Sequence, residues 1–283
     1  YEIHWRDWSS DVCSSDLIIC GSATAWMINK IINNKGSLHN RVTRRIQLFP
    51  FTLAETEAYF QSRNITFDRY QLLLLYMALG GIPHYLDMVE RGKSAVQNID
   101  DICFHPQGLL RTEFDNLYAS LFANPERYET VISVLSGTWK GLSRMEILQR
   151  ANLKDGGGLT AILQELEQSG FISSYIPFNK KKKDTLYRLT DYYSLFYLKF
   201  IRDNPTNVKG MWNSLSQTQT FKVWSGYAYE NICLQHIDKI KAALGISGVR
   251  TQQSSFWTRG NEEQEGVQID LLLDRNDNTI NLF

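Results

Sequence analysis

Several residues in this sequence have the types and spacing that chemistry needs. Ser22 follows the apolar run Leu17-Ile18-Ile19-Cys20. A hydroxyl there can donate to a phosphate oxygen and accept from water, or it can cap a helix starting near Ala23. Arg41, Arg44 and Arg45 precede Ile46-Gln47-Leu48-Phe49-Pro50-Phe51. Any of them could neutralise phosphate charge, and Arg41 is the first choice by position; three clustered arginines also suit a solvated face. Gly80-Gly81-Ile82-Pro83 permits close backbone approach and then fixes it. The run Lys180, Lys181, Lys182, Lys183 offers phosphate contacts, or is simply a solvated turn. Asp270 stands between Ile269 and Leu271-Leu272-Leu273, where an isolated carboxylate is costly unless paired or metal-bound.

The elements that must position these groups can be read from the hydrophobic pattern. Residues 17–20 predict a buried strand leading into a helix over 23–32, and residues 46–51 a short strand halted by proline. From 51 to about 122 the pattern is helical. Thr52 and Glu55 form a capping box, a second helix covers 69–79, and further helices cover 84–90 and 109–122. Helices over 128–135, 143–151 and 159–169, followed by strands at 171–176 and 185–189, predict a winged helix-turn-helix. Asp191 caps a helix over 192–201. Residues 203–220 read as a polar connector and a domain boundary. One long amphipathic helix is expected over 221–244, closed by Gly245, with strands at about 248–257 and 266–274.

Composition excludes little. Thirty basic residues balance thirty acidic ones, so no global field argues for nucleic acid or a membrane. The four cysteines lack zinc or disulfide spacing, and the longest apolar run, 72–79, is far short of the roughly 20 residues a bilayer requires. A cytoplasmic protein with no membrane partner is expected.

Taken in order, these motifs resemble an archaeal-type P-loop ATPase of the AAA+/STAND group. The resemblance rests on ICGSATAWMINKI, on GSLHNRVTRRIQLFPFTLAETEAYF and on GGIP followed by His84-Tyr85-Leu86. It implies a sensor role for Ser22, an arginine-finger role for Arg41, and nucleotide contact by Gly81 and Pro83, with ATP and Mg2+ bound by the intact protein. WSGYAYE at 224–230 and VQIDLLLDR at 267–275 resemble the carboxy-terminal PD-(D/E)xK nuclease-like domain of such proteins. That implies a possible divalent metal at Asp270, with Glu230 as an auxiliary acid.

The expected fold class is therefore mixed α and α/β, and multidomain. It comprises the end of a P-loop core at 18–50, a helical lid at 51–124, a winged helix-turn-helix at 125–190, a helical connector at 191–220 and a truncated restriction-endonuclease-like domain at 221–283. Residues 1–17 are set aside, because Asp7 to Leu17 resembles the translation of a sequencing adapter. Neither GxxxxGK[ST] nor the acidic metal-binding strand of an ATPase is present, so the chain alone is expected not to bind or hydrolyse ATP tightly. DNA and self-association are further possible partners. The competing expectations are a DNA-binding regulator acting through the winged helix and an ATP-regulated, metal-dependent nuclease.

Overall fold

The computed structural model describes residues 18–21, 27–28, 44–204, 210–258 and 265–283. Ser22, Arg41 and nearly all of the helix expected over 23–32 lie outside the described residues. Among the described residues the two expected amino-terminal strands are not formed. Residues 18–20 and 44–52 carry no regular structure, and Leu48 and Phe49 are 89% and 74% exposed. A strand needs a neighbour to take its backbone N–H and C=O groups, and the described residues supply none here. The segment is anchored at its end, where the Phe51 N–H donates to the Gly81 carbonyl at 2.7 Å.

Helix α1, Leu53–Ser62, starts where the capping box predicts. The Thr52 N–H donates to the Glu55 carboxylate at 2.8 Å, and the Glu55 N–H donates back to the Thr52 hydroxyl at 3.3 Å. Helix α2, Arg69–Leu79, is capped by Asp68 and buries Leu72 and Leu74 to Leu79, so it forms the middle of the helical region. Gly80, at φ +66°, ends it, and Pro83 opens the short α3, Pro83–Leu86, which stops well before the expected Glu90. A Ser94/Gln97 capping box then starts α4, Ala95–Ile99, which runs on into a π-helical turn at Asp100–Phe104. A 3-10 turn at Leu109–Arg111 leads into α5, Glu113–Leu121.

The next unit combines α6, Pro125–Ser136; β1, Leu142–Ser143; α7, Arg144–Arg150; α8, Gly157–Gln168; β2, Ile172–Tyr175; and β3, Leu186–Leu189. The strands form an antiparallel sheet of order β1-β3-β2, with Ile172 opposite Leu189 and Leu142 opposite Tyr187. Leu159, Ile162, Leu163 and Leu166 of α8 are buried, at the i, i+3, i+4, i+7 spacing of one helix face.

Asp191 caps α9, Tyr192–Phe196, which continues as a π-helical turn to Ile201. The expected polar connector contains α10, Met211–Leu215, whose Trp212 is fully buried. The Asp100 carboxylate holds the start of α10 by accepting the Gly210 and Trp212 N–H groups, each at 2.8 Å. Trp212 packs against Phe196, Phe200, Phe221 and Trp224 with ring centroids 4.9 to 6.2 Å apart. The hydrophobic core therefore runs without a break across the boundary expected at residue 220.

The long helix expected over 221–244 is two helices, α11, Gln219–Gln235, and α12, Ile237–Ala243. The break falls at His236, whose Nδ1 lies 2.8 Å from the Ile232 carbonyl while Nε2 accepts the Leu53 N–H at 3.1 Å. This assigns the proton to Nδ1 and makes the ring a cross-brace between α11 and the start of α1. A second antiparallel sheet of order β4-β5-β6 follows: Thr251–Thr258, Val267–Arg275 and Ile280–Leu282. Its own smaller cluster centres on Ile246, Leu271 and Leu273. The protein is thus mixed α and β, and no helix among the described residues is long and apolar enough to cross a membrane.

Candidate functional site

Polar and aromatic groups converge where the β2-β3 hairpin meets α11 and β4-β5. Arg188, from β3, donates through Nη1 to the Glu230 carboxylate of α11 at 3.1 Å, and both side chains are largely buried. The Arg188 guanidinium also lies 5.3 Å from the centre of the Tyr175 ring, and its Nε has no partner among the described residues. Burial pushes the Glu230 pKa above its usual value. Arg188 opposes that shift, and the charge of Asp270 adds to it.

Asp270 is not enclosed by its apolar neighbours. The β4-β5 register shifts between the Ser254 and Phe256 pairings, which leaves Asp270 and Leu271 facing a single residue, Ser255, and forms a β-bulge. Leu271 turns inward and is buried, whereas Asp270 is exposed and accepts the Gln268 side-chain amide at 2.7 Å. The free-energy argument for a buried, unpaired carboxylate at Asp270 therefore falls. Its charge still acts on Glu230 and on the Tyr227 hydroxyl one turn earlier on α11, raising the pKa of both.

Around this pair sit aromatic and basic groups that the sequence reading passed over. Trp139, in the loop after α6, stacks on Tyr227 with centroids 4.0 Å apart and planes at 11°. The neighbouring Lys140 places its ammonium 4.2 Å from the centre of the Trp257 ring. Trp257 pairs with Gln268, so Trp257, Gln268 and Asp270 share one face of the sheet. The Tyr175 hydroxyl donates to the Lys140 carbonyl at 2.6 Å, and the Phe178 N–H donates to the Ser255 carbonyl at 3.0 Å. The hairpin is therefore pinned to β4. A cavity of about 90 Å³ opens beside the Trp139 ring, with Lys199, Trp224, Tyr227, Glu230 and Asn231 in its wall. Trp224 is only 2% exposed, and its indole N–H has no partner among the described residues. A sequence signal for Trp139 and Lys140 did exist: both interrupt the turn-forming stretch Gly137 to Gly141.

Lys180, Lys181, Lys182 and Lys183 are all exposed at the hairpin tip, where the Lys181 N–H donates to the Asp184 carboxylate at 3.0 Å. The two glutamates of α8 are engaged locally: Glu165 accepts the Tyr128 hydroxyl, and Glu167 accepts the Ser174 N–H and hydroxyl. Gly81 and Pro83 lie far along the chain from this junction. Gly81 is buried against Phe51, whose carbonyl oxygen lies 1.9 Å from where a Cβ would stand. Among the described residues no three His, Cys, Asp or Glu side chains group as a metal site. Cys20, Cys103 and Cys233 are free thiols.

No family model matches the sequence, and no solved structure matches it. A Methanocaldococcus jannaschii protein described as "Uncharacterized protein MJECL04" is 23% identical over 249 residues, which cover 87% of this chain. The chain spans about half, 55%, of that protein's length.

Proposed function

We propose that this chain is the lid, winged-helix and nuclease-like portion of an ATPase of the AAA+/STAND type, and that this portion engages nucleic acid. The observation that carries the reading is the exposed lysine tip, Lys180 to Lys183, on a hairpin pinned at Phe178 and Ser255 to the sheet that bears Asp270. The order helix, strand, helix, helix, strand, strand, with sheet order β1-β3-β2, suits a winged helix. The exposed Leu48 and Phe49 suit a segment that completes its pairing against an ATPase core. ATP and Mg2+ belong to the intact protein on this reading, with Ser22 and Arg41 at the phosphates and Gly81 and Pro83 in the lid.

Binding driven by phosphate contacts weakens with salt by a slope of about 0.9 per contact on duplex DNA. Replacing Lys180 to Lys183 with glutamine should therefore weaken binding at low salt and flatten the salt dependence measured by fluorescence anisotropy. Absence of salt-dependent binding in the unaltered chain refutes the nucleic-acid reading. A second reading, a metal-dependent nuclease, is favoured by the charge of Asp270 acting on Glu230. In this structure Arg188 occupies the Glu230 carboxylate that a cation would need.

A further inference from the structure

We infer that the junction takes single-stranded nucleic acid, with one unpaired base entering the cavity beside Trp139 and the strand continuing toward the lysine tip. The inference rests on the nucleic-acid reading above and adds the form of nucleic acid and the place where a base sits. Trp139 is 44% exposed although one of its faces is already stacked on Tyr227. A large ring held rigidly by another ring and left half in solvent is a stacking platform, since every base has a π face to offer.

The cavity supplies what stacking alone does not. The Asn231 side chain, whose amide donates to the Leu189 carbonyl at 3.4 Å, and the Glu230 carboxylate, which Arg188 holds, stand in its wall beside the Trp224 ring. Base edges carry acceptors and donors that would meet the remaining hydrogen-bonding capacity of Asn231 and Glu230, and those edges are free only when the base is not paired. Size points the same way. An apolar cavity of about 150 Å³ encloses a benzene ring, so about 90 Å³ with an open mouth admits the edge of one ring and excludes a base pair.

Charge sets the direction of the strand. Asp270 is exposed on the β4-β5 face, which disfavours phosphates there. Glu230 is held by Arg188, while Lys199 and Lys140 lie at the cavity and beside it. Phosphates are accommodated on the lysine side, toward Lys180 to Lys183. Because Phe178 is bonded to Ser255 and Tyr175 to the Lys140 carbonyl, the hairpin and the aromatic wall are already fixed relative to each other, and binding need not order them.

The test compares fluorescently labelled oligothymidylate of about 15 nucleotides with a duplex of equal length, using the full chain at several salt concentrations. The single strand should bind at least about tenfold more tightly than the duplex. Trp139→Ala, at an exposed position, should weaken single-strand binding about tenfold and leave the salt slope unchanged, because stacking is lost and phosphate contacts are kept. Equal or tighter duplex binding overturns the inference, as does a Trp139→Ala variant within twofold of the unaltered chain on the single strand. Binding of neither form at low salt overturns the nucleic-acid reading itself, so the two failures are distinct.

Discussion

Gly81→Ala isolates what the Gly-Gly-x-Pro segment does for the fold. A methyl group at Gly81 would stand 1.9 Å from the Phe51 carbonyl oxygen and 2.7 Å from its carbonyl carbon and amide nitrogen. Ordinary carbon contacts need about 3.5 Å or more, so the Phe51 backbone must retreat by well over an ångström. That movement breaks the 2.7 Å hydrogen bond from the Phe51 N–H to the Gly81 carbonyl and pulls the Phe51 carbonyl away from the Tyr76 hydroxyl, now 2.8 Å distant. Two hydrogen bonds at about 1 kcal/mol each, plus about 1 kcal/mol for overpacking, give a loss of roughly 3 kcal/mol. At about 2–4 °C per kcal/mol, Tm should fall by about 6–12 °C in a calorimetric scan. The scan is run without nucleotide for a reason. A glycine kept only to let a ligand approach would tolerate alanine in the free protein, so a fall of less than about 2 °C refutes the packing argument and leaves nucleotide contact as the reason for the glycine.

Two further substitutions test the helices. Gly226 lies inside α11, and a Cβ added there meets nothing within 4 Å, so Gly226→Ala should stabilise the protein by about 0.5–1 kcal/mol and raise Tm by a few degrees. Asp191→Asn keeps an oxygen for the Ser194 N–H, which Asp191 accepts at 2.7 Å, and removes a carboxyl whose pKa burial raises above 3.8. The folded wild type holds that proton more tightly than the unfolded chain, so its stability falls as pH rises through and above 3.8. Urea denaturation should accordingly show the variant gaining on the wild type from about pH 3 to pH 7, and an opposite trend overturns the assignment.

The helices were legible in the sequence because their signals are local. Thr52 with Glu55 and Ser143 with Glu146 announced helix starts that the structure keeps, and the same spacing at Ser94 and Gln97 starts α4, which went unread for want of a long apolar run after it. The errors arise where a distant partner decides. Alternation over 46–51 says which residues could line a strand face but not whether a neighbouring strand exists. Periodicity continued smoothly past His236, yet the helix breaks there, where the ring receives the backbone N–H of Leu53 from the far end of the described core. Likewise Trp212, within a stretch that composition marks as a connector, is the largest fully buried side chain among the described residues.

The site was half legible for the same reason. Glu230, Asp270 and the lysine tip were found as single residues, but a one-residue bulge in β5 decides that Asp270 faces solvent, and no pattern in VQIDLLLDR specifies that bulge. What joins these residues is Arg188. Its charge is matched by Glu230, its face covers Tyr175, and its strand carries the hairpin to the Phe178 contact with Ser255. A largely buried ion pair adds little net stability once desolvation is counted, yet losing either partner leaves an uncompensated charge. Such a pair serves better to fix one arrangement than to strengthen the fold. Here the arrangement it fixes is the approach of the hairpin to α11, because Arg188 stands on β3 and Glu230 on α11.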